Sequence, residues 1–318
     1  LIRSPDNPIL TREHVPDIPP DLVDVSSVFN PGAVVHNGRV LLLLRVQTRG
    51  RETFFVTAES DDGTRFEVRP GLVPVRGIER VVGAVYHCYD ARITELEGRY
   101  YVVFAMDTDF GCRIGLATTD DFTTLEFVGM TGKDDVRNGV LFPERVGGRY
   151  LRYERPNKLR FGSGATSGDE IVLSESTDLV SWHPVASVMR GRLHYWDELI
   201  GPGPPPLKTR GGWLLVYHGI ATHGSACIYQ AGVVLTDLED PSRVVARGRS
   251  NILEPRELYE LVGQVPNVVF PTGAIVERCD SEGFADPAGE VRLYYGAADT
   301  CVCAASCTIG ELLAACRG

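Results

Sequence analysis

Carboxylate, guanidinium and imidazole side chains recur at one kind of place in this chain, the entrance or exit of a short apolar run. Tyr89-Asp90-Ala91-Arg92 opens one run, Arg137-Asn138-Gly139 opens the next, Glu144-Arg145 lie along it, and Arg155-Pro156 close its neighbour. Tyr217-His218, Tyr229 and Asp299 end later runs. A carboxyl group at a strand mouth can donate a proton to a leaving group. Two arginines at the start and end of adjoining strands can share one oxyanion through paired donors. Each motif also has a plainer reading: Asp90 as a turn cap with Arg92 as its ion partner, Arg137 and Arg155 as solvated cations, His218 as a hydrogen-bonded structural residue. Asp107-Thr108-Asp109 reads as a turn. It is the recurrence at equivalent ends of repeated units that favours one shared site.

The units that must position these residues are hairpins. Five can be aligned, at Gly32–Arg45, Asp90–Phe104, Gly139–Tyr153, Pro205–His218 and Thr272–Glu277 resuming at Glu290–Gly296. Four have a turn at Asn37-Gly38, Glu97-Gly98, Gly147-Gly148 or Gly211-Gly212, followed by a strand rich in Val, Leu, Tyr and Phe. Further β-like runs follow, such as Thr53–Ala58, Ile114–Thr118, Ile171–Ser174 and Ala231–Leu235. About four strands per unit in five units is the count of a five-bladed β-propeller, an all-β fold with its site in the central funnel. An irregular sandwich is the competing architecture. The spacing predicts inner strands after Asn30, Asp90, Asn138, Gly203 and Thr272, a helical turn over 255–261 and a short helix over 309–316.

Composition agrees. The 318 residues are 43% hydrophobic and 23% charged, enough for a sizeable core, and no linker divides them. The reading is one propeller domain over 1–318 with short terminal extensions. A net charge of -10 argues against nucleic acid as partner. No apolar run is long enough to cross a membrane, and the start lacks a signal-peptide pattern. The eight cysteines form no CxxC pair, so no metal site is expected. They read as reduced and buried, which points to a cytoplasmic protein.

The motifs Asn30-Pro-Gly-Ala33, Asp90-Ala-Arg-Ile-Thr94, Asn138-Gly-Val-Leu-Phe-Pro143, Gly201-Pro-Gly-Pro-Pro-Pro206 and Trp213–Gly219 stand in the order found in a known family. So do Asp240–Arg247, Val265–Pro271 and Tyr294–Thr300. From about Asn30 to Thr300 the chain resembles glycoside hydrolase family 130, the β-mannoside phosphorylases and related β-mannosidases. The resemblance implies a five-bladed propeller that cleaves a β-mannosidic bond with inversion. Inorganic phosphate is the implied co-substrate, as in most members, with release of α-mannose 1-phosphate and no cofactor. It implies Asp90 as the acid, passing its proton to the glycosidic oxygen through the mannosyl 3-hydroxyl. Arg137, Asn138, Arg155 and Tyr229 match phosphate-holding positions. Asn30, Arg45, Arg51 and Asp299 match positions near the mannosyl ring or the phosphate, and Tyr89 and His218 fall in matched motifs. A β-mannoside oligosaccharide and phosphate are the implied partners, and a homo-oligomer stays open.

One departure keeps a second activity in view. Phosphorylases of the family usually carry a Lys where this chain has Leu199, and losing a charge-assisted hydrogen bond weakens phosphate binding. If the protein is instead an inverting β-mannosidase, water needs a base, and Asp197 or Glu198 stand beside the gap. Such a base would lie roughly 6.5–9.5 Å from Asp90. A sugar-binding propeller without turnover is the non-enzymatic alternative. For the acid, burial is expected to raise the Asp90 pKa, with Arg92 tempering the rise.

Overall fold

The computed structural model describes residues 1–131, 134–160, 166–223 and 226–318. Five sheets stand around one axis, antiparallel except where Val75–Arg76 joins blade two in parallel, and their strands run outward in chain order apart from the outermost ones of blades two and five. Blade one comprises Val25–His36, Arg39–Thr48, Thr53–Ser60 and Glu67–Leu72. Blade two comprises Val85–Leu96, Arg99–Thr108, Gly111–Thr119 and Leu125–Thr131, with Val75–Arg76 added at its outer edge. Blade three is Val136–Leu141, Tyr150–Pro156, Glu170–Ser176 and His183–Arg190. Blade four is Leu199–Pro202, Gly212–His223, Ala226–Thr236 and Val244–Arg247. Blade five is Val269–Val276, Glu290–Ala297 and Cys301–Thr308, completed by Ile2–Arg3 from the start of the chain.

The hydrophobic pattern explains the ring. Leu41-Leu42-Leu43-Leu44 is apolar without alternation because both faces of the strand are covered. Leu41 and Leu43 pack toward Phe104 and Ala117 of blade two, while Leu42 and Leu44 pack toward Tyr294 and Val302 of blade five. The other seams repeat this, with Val103, Ile114 and Leu141 between blades two and three, and Tyr153, Leu173 and Leu215 between three and four. Closure comes from Ile2 and Arg3, which pair with Ser306 and Ala305. The Arg3 guanidinium then donates to both oxygens of the buried Glu260 at 2.8 Å. Burial works to raise the Glu260 pKa, yet it ends below the ordinary value because Arg3 and backbone donors outweigh it.

Two sequence expectations change. The inner strand of blade four is Leu199–Pro202, upstream of Gly203, and Leu207–Thr209 pairs separately with the same neighbour. Pro204, Pro205 and Pro206 lack the N–H a continuous ladder needs, so the strand breaks there. The cysteines are all free thiols, but only Cys112, Cys301, Cys303 and Cys316 are buried, and Cys279 is exposed. The helical turn forms at Leu258–Leu261 and the final helix at Ile309–Arg317, where Thr308 caps Glu311.

Candidate active site

Each of the first three inner strands carries an extra residue at the same depth. In blade one Phe29 faces Arg45 and Gly32 faces Leu43, so three steps oppose two. The same slip lies between Tyr89 and Arg92 in blade two and between Arg137 and Val140 in blade three. Such a bulge re-aims a side chain. The residue inside it is left-handed each time: Asn30 at φ 47°, Asp90 at φ 55° and Asn138 at φ 58°. Asn and Asp tolerate that region better than most residues. The three side chains thereby turn toward the axis, into one cavity of about 530 Å³.

The bulge also overturns the simple alternation that would put Arg92 beside the Asp90 carboxylate. Arg92 turns behind the funnel wall, donating from NH1 to the backbone carbonyl of Asp90 at 2.6 Å and from Nε to that of Gly203 at 3.2 Å. The carboxylate takes its ion pair from Arg45 instead. Oδ1 of Asp90 accepts from Arg45 NH1 and from Asn30 Nδ2, both at 2.9 Å. Arg45 itself lies between the rings of Phe29 and Tyr89, 4.5 and 4.4 Å from their centroids. The Asp90 pKa is consequently lowered, not raised. Burial is the largest influence and pushes upward, but Arg45, Arg92 and the Asn30 bond together outweigh it. In the free protein Asp90 is a carboxylate.

Facing it is a cationic wall. Arg137 and Arg155 are direct cross-strand partners, where like charges repel. Burial first, and Arg137 second, push the Arg155 pKa down to about 10. Arg155 is held by Asn157 Oδ1 at 2.8 Å, and Asn157 in turn donates to Asp135 at 2.6 Å. Among the described residues no carboxylate pairs with Arg155, and the nearest to Arg137 is Asp107 at 3.6 Å. Tyr229 lines the same wall, its ring stacked 6.2 Å from that of His218. Asn138 Nδ2 stands 3.4 Å from His218 Nε2. Gly201 explains its motif here, because a Cβ would fall 2.5 Å from His218 Cε1 and 2.8 Å from Asn138 Nδ2. His218 is fully buried behind this layer and does not line the cavity. Burial, then Arg155 and Arg92, holds its pKa well below the ordinary value, so it is neutral.

The structure thus brings Asn30, Arg45, Arg51, Tyr89, Asp90, Arg137, Asn138, Arg155, Tyr229 and Asp299 to one cavity, with Arg51 at the exposed rim. Four buried polar atoms without a partner among the described residues, Asn30 Oδ1, Arg45 Nε, Asn138 Oδ1 and Ser167 Oγ, belong to residues lining it. Buried polar groups are rarely left unpaired, so their concentration here marks a polar ligand's place. Asp299, at φ 49°, has its pKa raised to about 6, by burial above all and then by Asp90.

Asp197 and Glu198 do not line this cavity. Asp197 is buried outside it, accepting from Arg192, Arg247 and Tyr217. Glu198 accepts from the Thr222 backbone N–H at 3.0 Å and from His194 N–H at 3.0 Å, in a separate groove. Leu199, buried, does line the funnel, which gains an apolar contact where a cation is usual. Sequence reasoning also missed Asp107, Ser167, Cys227 and Phe270. Asp107 accepts from Tyr89 OH at 2.8 Å. Its signal lay in the repeats. Arg45 and Arg155 face the residue before the bulge from the second strand, whereas blade two has Ala105 there, and Asp107 is the next residue on that face.

A carboxylate opposite two arginines, with unpaired polar atoms around them in the mouth of a five-bladed propeller, is the arrangement of a site for a polar, partly anionic ligand. The family model described as beta-1,4-mannooligosaccharide phosphorylase, glycoside hydrolase family 130, matches residues 3–318, and the chain belongs to that family. It is 31% identical over 314 residues to a beta-1,4-mannooligosaccharide phosphorylase of Ruminococcus albus, covering 96% of this chain and 88% of that one. It is 31% identical over 291 residues to a 1,2-beta-oligomannan phosphorylase of Thermoanaerobacter sp., covering 87% of this chain and 88% of that one. The beta-1,2-mannobiose phosphorylase of Listeria innocua, solved with beta-1,2-mannobiose, superposes with a TM-score of 0.83 at 28% identity, covering 99% of this chain and 98% of that one.

Proposed function

We propose that the protein is an inverting β-mannoside phosphorylase that transfers a mannosyl unit to inorganic phosphate, releasing α-mannose 1-phosphate. The observation that carries this reading is one carboxylate, Asp90, opposite two adjoining arginines, of which Arg155 has no carboxylate partner among the described residues and Arg137 only Asp107 at 3.6 Å. A phosphate dianion relieves the repulsion between Arg137 and Arg155, and Asn138 and Tyr229 complete its donors. It is already a nucleophile, so the site must position it and screen its charge. No basic residue is needed to activate it.

Asp90 must act as an acid although it is ionised in the free protein. Phosphate on the arginine wall brings negative charge near Asp90 and opposes the influence of Arg45 and Arg92 that holds it deprotonated, which raises its proton affinity in the complex. The proton passes to the glycosidic oxygen, directly or through the mannosyl 3-hydroxyl, as C1 leaves that oxygen and bonds to phosphate. The proton of monohydrogen phosphate balances the reaction, since mannose 1-phosphate leaves as the dianion and the acceptor as a neutral alcohol. In this reading Asn30, Arg45 and Asp299, which line the same cavity, orient the mannosyl ring. The two bases expected for hydrolysis are out of place, because Asp197 is saturated outside the funnel and Glu198 faces another groove, and the carboxylates that share the cavity with Asp90 are Asp107 and Asp299. A cytoplasmic location fits a phosphate-dependent enzyme and remains part of the proposal.

The test is incubation with β-1,4- and β-1,2-mannobiose, each with and without phosphate. Phosphate-dependent formation of mannose 1-phosphate supports the reading. Phosphate-independent release of free mannose would replace it with hydrolysis, and no cleavage under either condition would leave a binding protein.

A further inference from the structure

At the funnel end of blade two the chain exposes three large apolar side chains together. Tyr86 is 60% exposed, Phe110 63% and Val82 87%. They lie on two segments that are pinned to each other. Asp109 accepts from the Ala84 backbone N–H at 2.8 Å and from the Tyr86 hydroxyl. Phe110 lies over Gly83, where a Cβ would come within 3.1 Å of its ring. The turn carrying Phe110 is closed by Thr108, whose hydroxyl donates to Gly111 O at 2.8 Å and accepts from Phe110 N–H at 3.2 Å. These bonds hold the aromatic faces out in water, fixed before any ligand arrives, which lowers the entropy lost on binding.

The patch does not itself line the cavity already described but stands at the ends of the two strands, Val85–Leu96 and Arg99–Thr108, that lead into it. Asp107, one residue before the turn, lines the funnel and holds Tyr89 through its hydroxyl. The strand that begins at Val85 and Tyr86 leads directly to Tyr89 and Asp90. Inversion puts the incoming phosphate and the leaving oxygen on opposite faces of C1. The leaving sugar therefore lies on the side of the acid, and the acid belongs to blade two. A chain that extends from the leaving sugar out of the funnel meets the rim of that blade first. Pyranose rings present faces of C–H groups that pack on aromatic rings, and burying such a face removes apolar surface from water.

Resting on the phosphorylase reading, we propose that Tyr86 and Phe110 form a distal acceptor-side subsite for a mannosyl unit beyond the first leaving sugar. The preferred substrate is then a β-manno-oligosaccharide of three or more units. The subsite adds affinity only for chains that reach it.

The experiment measures phosphorolysis kcat/KM for mannobiose and mannotetraose, in both β-1,4 and β-1,2 series, for the wild-type protein, Phe110→Ala and Tyr86→Ala. For the cleaved linkage, the wild-type ratio of tetraose to biose should exceed one by roughly five- to tenfold. Phe110→Ala should bring that ratio close to one, chiefly through KM, and Tyr86→Ala should lower it. Phe110→Leu, which keeps the apolar bulk without the ring face, should recover only part of it. A wild-type ratio near one, or a ratio unmoved in Phe110→Ala, overturns the subsite while leaving the phosphorylase reading intact. Failure to cleave any mannoside overturns both.

Discussion

Replacing Asp299 with Asn should stabilise the protein at neutral pH while impairing it as a catalyst. The carboxyl of Asp299 is only half-buried by exposure but sits deep enough for desolvation to dominate, and its pKa rises from 3.8 to about 6. The folded form keeps the proton up to that value, whereas the unfolded chain loses it near 3.8. Between the two the folded state binds more protons, so stability falls as pH rises, and the full cost is present above pH 6. A shift of about two units at roughly 1.36 kcal/mol each sets a ceiling near 3 kcal/mol. Partial solvent access brings the expected gain for Asp299→Asn to about 1.5–3 kcal/mol. Urea unfolding of both proteins in phosphate-free buffer, at about pH 7.5 and about pH 4, reads this directly. The variant should have the higher midpoint at the upper pH, with the difference shrinking to less than half at the lower. A difference that is equal at both pH values, or a variant less stable at neutral pH, would refute the argument. The same substitution should reduce turnover, since the carboxylate is kept at a stability cost in a cavity that needs it.

Other substitutions follow from the same geometry. Asp90→Asn should lower kcat at least ~100-fold while phosphate still binds by calorimetry, and near-normal turnover would remove Asp90 as the acid. Arg155→Ala should raise the KM for phosphate roughly 10- to 100-fold, the loss expected for a charge-assisted bond in a buried site. An unchanged phosphate KM would mean that the anion sits elsewhere. Leu199→Lys adds a cation to the funnel wall and should lower the phosphate KM several-fold; a rise would show that Arg137 and Arg155 already saturate the anion.

The ring was legible in the sequence because its signals are local. Asn37-Gly38 and Glu97-Gly98 close tight hairpins, with both residues left-handed in each, and runs such as Leu41–Leu44 announce strands covered on both faces. The site was legible in its residue types but less so in its geometry. Alternation placed Arg92 beside the Asp90 carboxylate, and a one-residue bulge put it behind the wall and gave the ion pair to Arg45. That error carried into the acid's pKa, whose direction depends on a partner 45 positions away in sequence. Asp197 looked available beside Leu199 because nothing local shows that Arg192, Arg247 and Tyr217 converge on it. Asp107 was read as a turn residue although the register of the repeats places it on the cavity face. In each case the missing information was register between strands, which side-chain type does not encode.

The way the ring is sewn shut sets an order of events. Ile2 and Arg3 belong to the sheet whose remaining strands lie between Val269 and Thr308. On the ribosome the closing strand is therefore made before blades one to four and stays unpaired until the strands between Val269 and Thr308 follow. Blades one to four can each form from neighbouring segments as they appear, but the funnel has no fixed diameter until Ile2 and Arg3 meet Ser306 and Ala305. The contact spans nearly the whole chain, and such closures are slow because loop entropy is lost before the contact is made. Catalytic competence should therefore arrive in a single late step. A partly made or end-clipped chain would hold four sound blades and an unformed pocket, with a free sheet edge at the gap.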